Sequence, residues 1–119
     1  MRAFHLTPDM MEAGYEYLRL TPPFRAWRMP DGDEVDFHVL KTDLVHGDCG
    51  YHAGRTFIRV SIAMVGSSDA LLGVMAHEMI HQHQWLHPRT KTSRSDHDRF
   101  WHRAADRACA FHGFDRKTF

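Results

Sequence analysis

The segment Ser67-Ser68-Asp69-Ala70-Leu71-Leu72-Gly73-Val74-Met75-Ala76-His77-Glu78-Met79-Ile80-His81 holds a helix start, an apolar pattern and two histidines four residues apart. Ser67, Ser68 or Asp69 can accept hydrogen bonds from the exposed amides of a first helical turn. Leu71, Leu72, Met75, Met79 and Ile80 recur at helical spacing and are expected to pack against a sheet, leaving Gly73, His77 and His81 on another side. Residues four apart lie one turn apart on the same helix face, so the two imidazoles can grip one metal ion. Glu78 follows the first histidine directly and can reach a water held by that metal. This is the chemistry of a zinc hydrolase: zinc lowers the pKa of its water toward neutrality, and the carboxylate takes the proton as hydroxide attacks a carbonyl. Gly73, which costs helix stability, reads either as room for a substrate or strand or as a tight packing contact.

Upstream of this helix, Thr7 and Pro8 are a cap and a first position, with Met10, Gly14, Tyr17 and Leu18 forming a helical stripe that Pro22-Pro23 ends. Asp31-Gly32-Asp33 reads as a turn. Val35, Phe37 and Val39 then alternate with Asp36 and His38 as in a half-buried strand. A glycine-bearing connection runs from Gly47 to Gly54, followed by a strand in which Ile58, Val60 and Ile62 oppose Arg59 and Ser61. An antiparallel sheet of two to four strands is expected, with the strand from Thr56 to Ile62 at its edge, placed to pair with an extended substrate.

Downstream, the polar run from Leu86 to Asp96 is a loop. A closing helix opens near Asp98, carries Trp101, Ala104, Ala105, Ala108 and Phe111 inward, and stops at Gly113. The expected fold class is α+β, a small antiparallel sheet packed against an N-terminal, a motif-bearing and a C-terminal helix, as in a minimal zincin-like domain.

A chain of 119 residues, read as one domain over 1–119, is long enough for a real core. Its formal net charge of zero argues against binding nucleic acid by bulk charge, though not against a local basic patch. Its 43% hydrophobic content excludes disorder. The stretch from Met1 to Asp9 lacks the apolar run of a signal peptide, and no segment approaches the roughly 18 apolar residues of a membrane span, so a cytoplasmic location is expected. Cys49 and Cys109 stand far apart and read as two ordinary thiols, at least one of them buried.

A catalytic zinc takes three protein ligands and keeps a fourth position open. His97, at the mouth of the closing helix, is the best candidate to complete the set, because a loop return can bring it back to the motif. The competitors are less well placed: His83 lies two residues from His81 and points elsewhere, His87 precedes Pro88, and His102 lies off the apolar face of its helix; His112 is the fourth.

The runs Met75-Ala76-His77-Glu78-Met79-Ile80-His81-Gln82, His97-Asp98-Arg99-Phe100-Trp101 and Cys109-Ala110-Phe111-His112-Gly113-Phe114-Asp115, in that order, resemble the SprT-like family of small zinc metallopeptidases. The resemblance covers about Val35 to the end of the chain, with Trp101 where the family commonly has a phenylalanine. It implies a compact gluzincin-like domain, one zinc per chain on His77, His81 and His97, Glu78 as catalytic base, and proteins or peptides as substrates. Some relatives, the Spartan proteases among them, act on proteins attached to DNA. The chain contains no cysteine-rich zinc ribbon, so the smaller stand-alone members are the closer comparison.

The expected reaction is peptide hydrolysis in which Glu78 deprotonates the water and passes the proton to the leaving amine. Tyr51, His52 and His83 are candidates for a second oxyanion donor, with no spacing to choose among them. Two alternatives differ in class. One is a DNA-associated protease or nucleic-acid-associated protein using Arg89, Lys91, Arg94, Arg99 and Arg103 as a basic stripe, which Asp96, Asp98 and Asp106 interrupt. The other is a non-catalytic zinc-binding adaptor, for which Glu78 would be superfluous.

Overall fold

The computed structural model describes residues 4–119; Met1, Arg2 and Ala3, where the reading for a signal peptide begins, lie outside the described residues. Helix α1 spans Pro8–Arg19, strands β1, β2 and β3 span Asp36–Leu40, Gly47–His52 and Arg55–Ser61, and helices α2 and α3 span Ser68–Leu86 and Arg99–His112. This is an α+β arrangement. No helix among the described residues is long and apolar enough to cross a membrane.

The helix boundaries follow local chemistry. Thr7, Ser67 and Asp98 each accept a hydrogen bond from a backbone N–H in the first turn of α1, α2 and α3, which satisfies donors that the helix itself leaves unpaired. Gly113 ends α3 at φ 78°, a left-handed conformation that costs glycine little.

The sheet differs from the all-antiparallel expectation. Its order is β1-β3-β2, with β1 parallel and β2 antiparallel to β3. The segment expected to be a mere connection is β2, joined to β3 by the two-residue turn Ala53-Gly54, where φ is 53° and 80°. Positive φ at both positions matches the twist of a tight hairpin. The hairpin seats β3 in the middle, so the strand expected at the edge is central, and β2 is the edge beside the motif helix. The loop from β1 to β2 must therefore cross the end of β3. The buried hydroxyl of Ser61 ties it there, donating to Thr42 O and accepting from Thr42 N.

The core lies between the sheet and the helices. From α1 it takes Met11, Tyr15 and Leu18, all fully buried, whereas Tyr17 is half exposed; the buried stripe is thus displaced from the expected Met10, Gly14, Tyr17 and Leu18. From α2 it takes Leu71, Met75, Met79 and Ile80 as expected, together with Ala76, while Leu72 is only partly buried. Each large apolar side chain so buried contributes about 1.5–3 kcal/mol. Helix α3 buries Trp101, Ala104, Ala105, Ala108 and Cys109, while Phe111, expected inside, remains exposed.

Close packing of α2 on β2 requires one glycine. A Cβ on Gly47 would lie 2.7 Å from Arg59 O and 2.8 Å from Val74 Cγ1. The approach sets the β2 edge directly beside the turn that carries the histidine motif.

Candidate metal centre

Helix α2 puts His77 and His81 one turn apart, and their rings lie 5.0 Å apart between centroids. His97 immediately precedes the cap of α3, and the chain's return from α2 brings it back onto both. Its Nε2 lies 3.0 Å from His81 Nε2 and 3.3 Å from His77 Nε2. The histidine spacing and the third candidate read from the sequence thus meet at one point. Among the described residues, His83, His87, His102 and His112 do not join them. His83 and His87 pack against each other, while His102 and His112 contact Arg116 and Thr21 through hydrogen bonds.

The outer ring nitrogens settle which way the lone pairs face. His77 Nδ1 is 3.0 Å from the carbonyl oxygen of Phe119, which can only accept, so His77 donates from Nδ1. His81 Nδ1 is 3.1 Å from Gln84 Oε1. Gln84 donates through Nε2 to Asp98 Oδ1 at 3.1 Å, which leaves its Oε1 to accept from His81. In their neutral forms the two rings therefore turn Nε2 lone pairs toward His97 Nε2. Three nitrogens at ~2.0–2.1 Å from a tetrahedral zinc would stand about 3.3 Å from one another, so the spacing fits.

Electrostatics supports the same state. Burial pushes His77 down to about 4, with the neighbouring His81 and His97 rings adding to it and the Phe119 carbonyl opposing. His81 is lowered by burial too, against the opposing pull of its hydrogen bond to Gln84. Imidazoles held neutral are the form a metal binds.

Glu78 is buried, with one carboxylate oxygen 3.8 Å from His77 Nε2. Burial, helped by the negative charge of Asp48, raises it to about 7, while a hydrogen bond from the Cys49 thiol works the other way. Cys49 is itself pushed up by burial and by the Glu78 charge, so it stays a thiol. Both cysteines are free, as expected. Trp101, which is buried, packs edge-on against His77 and His97 at 4.8 and 4.4 Å between centroids and walls the cluster from the α3 side.

Several of these residues gave no warning in the sequence. Gln84, Cys49 and the Phe119 carbonyl act through contacts between elements distant in the chain. Asp98 was legible as a helix cap, yet its carboxylate also accepts from Gln84 and from Thr92 N. Burial would raise Asp98, but hydrogen bonds from the Trp101 and Thr92 amides hold it below the usual carboxylate range. The candidate oxyanion donors Tyr51, His52 and His83 line neither of the two clefts that adjoin the cluster.

These two clefts meet at Gly47, His77 and Glu78. The smaller, about 500 Å³, continues past His81 and His97 toward Trp85, Lys91 and Asp96. The larger, about 830 Å³, runs past Gly73 and Val74 toward Met64, Phe114 and Phe119. The edge strand β2 flanks their junction. Ser61 N donates to His46 O, so in antiparallel register the backbone groups of Gly47, Cys49 and Tyr51 face away from β3 toward the open edge.

A comparison with curated proteins finds no significant match. A family model does match, over residues 25–118, and takes in the strands, the paired-histidine helix, His97 and the closing helix: the chain belongs to the SprT-like family.

Proposed function

We propose that the protein is a zinc-dependent metallopeptidase that hydrolyses peptide bonds of proteins or peptides. The observation that carries this reading is the convergence of three histidine Nε2 atoms within 3.0–3.3 Å contacts, with the buried Glu78 carboxylate 3.8 Å from one of them. A structural metal site has no use for that carboxylate, which also counts against a non-catalytic adaptor.

His77, His81 and His97 would hold one zinc per chain through Nε2. Zinc there would supply Lewis acidity, polarising the scissile carbonyl and making water a better nucleophile near neutral pH. Glu78 takes the proton from the attacking water and delivers it to the leaving amine, a role suited to a carboxylate whose affinity for protons has been raised by burial. The open backbone groups of β2 hold an extended substrate by adding a strand to the sheet, which positions its carbonyl over the cluster. Trp101 keeps solvent from the α3 side of the histidines.

Peptide is favoured over nucleic acid by the lining of the clefts. Among the described residues Lys91 is the single Lys or Arg in either lining, and Asp96 neutralises it at 3.1 Å. Phosphate recognition depends on several unpaired cations.

Glu78→Gln tests the reading. The variant is expected to bind zinc in the same one-to-one ratio as the parent while losing about 10²–10⁴-fold of peptidase activity on an unfolded protein substrate. Equal activity in the two proteins would exclude Glu78 as the base.

A further inference from the structure

Gly73 lies within α2, one turn before His77, where a glycine weakens the helix and needs a reason. Packing does not provide one. A Cβ at this position would meet nothing closer than Phe114 Cδ1 at 3.9 Å, in contrast to Gly47, where backbone and side chain both stand in the way. Nor is the backbone at Gly73 in the left-handed region. What the missing side chain leaves is space, and that space is part of the floor of the larger cleft.

The walls of the cleft mix apolar groups with polar ones, His46, His112 and Thr118 among the latter. Val45, Met64, Ala70, Val74, Phe114 and Phe119 line it, and it opens at its inner end onto His77 and Glu78. Val45 and Met64 are 41% and 37% exposed, so apolar surface is already presented to solvent there. Asp69 and Asp115 also line the cleft and disfavour an acidic occupant.

We propose that this cleft is the subsite for a large apolar side chain of the substrate next to the scissile bond, and that Gly73 is the specificity-determining residue that keeps it open. The proposal rests on the peptidase reading and specifies it: the substrate is a polypeptide segment bearing Phe, Leu or Met beside the cleaved bond. Continuity with His77 and Glu78 selects this occupant, since a side chain in the cleft belongs to the residue flanking the attacked carbonyl. The extended backbone would meanwhile pair with β2.

The test compares zinc-loaded parent and Gly73→Leu proteins on a randomised peptide library, with cleavage sites mapped by mass spectrometry. The parent is expected to select Phe, Leu or Met at one position adjoining the cut. Gly73→Leu fills the floor with a good helix former and should shift that position to Ala, Ser or Gly, with kcat/KM for a Phe-containing peptide falling about 10–100-fold. Absence of an apolar preference in the parent, or the same preference in Gly73→Leu, would overturn the proposal. A binding measurement separates this outcome from failure of the peptidase reading. In a Glu78→Gln background the same Phe peptide should bind, and adding Gly73→Leu should weaken it about tenfold or more, whether or not the parent cleaves anything; undiminished binding would also overturn the proposal.

Discussion

Helix α2 carries three histidines within seven residues, and its two sides use them for opposite purposes. On one side His77 and His81 each give the Nδ1 proton to a fixed acceptor and turn Nε2 toward His97. On the other side His83 is 7% exposed and stacks on Trp27 at 4.2 Å and on Phe100 at 5.8 Å between centroids, and its buried Nδ1 has no hydrogen-bond partner among the described residues. Burial lowers all three, His77 and His83 each to about 4. Suppressed basicity therefore does not tell a ligand from a packed ring. The distinction lies in where the Nδ1 atom goes: at His77 and His81 an acceptor fixes it, whereas at His83 it is buried in a ring packed among Trp27, Phe100 and His87.

Three changes probe that contrast. The largest effect is expected at the cluster itself: His97→Ala should weaken zinc by more than about a hundredfold, the upper end of what losing an outer hydrogen-bond partner costs. Competition with a chromophoric chelator measures it, and undiminished affinity would remove His97 from the ligand set.

The next effect belongs to the His83 side and concerns pH. Below the ordinary value of 6.5 the unfolded chain takes up a proton that folded His83 refuses until about 4. The folded state thus loses stability as the pH falls through that window, by up to roughly 3 kcal/mol at 1.36 kcal/mol per unit. His83→Phe keeps a ring between Trp27 and Phe100 and removes the titration. Urea unfolding should show the two proteins similar at pH 7 and the variant the more stable near pH 4.5; parallel pH profiles would show that His83 carries no such penalty.

The smallest effect is expected one contact away from the cluster. Gln84→Ala removes the acceptor of His81 Nδ1 and frees the ring to rotate, and should weaken zinc about 10–100-fold without unfolding α2. If chelator competition finds no change, the relay from His81 through Gln84 to Asp98 has no part in holding the site.

Much of this was readable from the chain because it depends on near neighbours. The cap Thr7, the capping run Ser67-Ser68-Asp69, the helix start near Asp98 and the stop at Gly113 were recognisable because a helix end is satisfied within three or four residues. His77, Glu78 and His81 stood out for the same reason, while His97 was the favoured one of five histidines that could supply the third ligand a catalytic zinc requires. The misreadings arose where two local patterns were equally good. Met10 and Met11, or Tyr15 and Tyr17, offer α1 competing apolar stripes, and only the elements packed beside it select Met11 and Tyr15. Similarly, Gly47 to Gly54 looked like a connection because two glycines and an Ala-Gly turn weaken the alternation of β2, which forms because β3 supplies its hydrogen-bond partners.

Taken alone, the sequence determined the three helices, the α+β class and the one-turn spacing of His77 and His81 with Glu78 between them, since each follows from interactions that span a turn. Tertiary structure decided the rest: that β3 is central and β2 borders the site, that Gln84 and the Phe119 carbonyl orient the two histidines, that Cys49 and Glu78 share a cleft wall, and that Gly73 faces open space. Those facts depend on which distant surfaces come into contact. The linear pattern constrains such contacts only through the sum of burial and hydrogen-bond satisfaction over the whole fold.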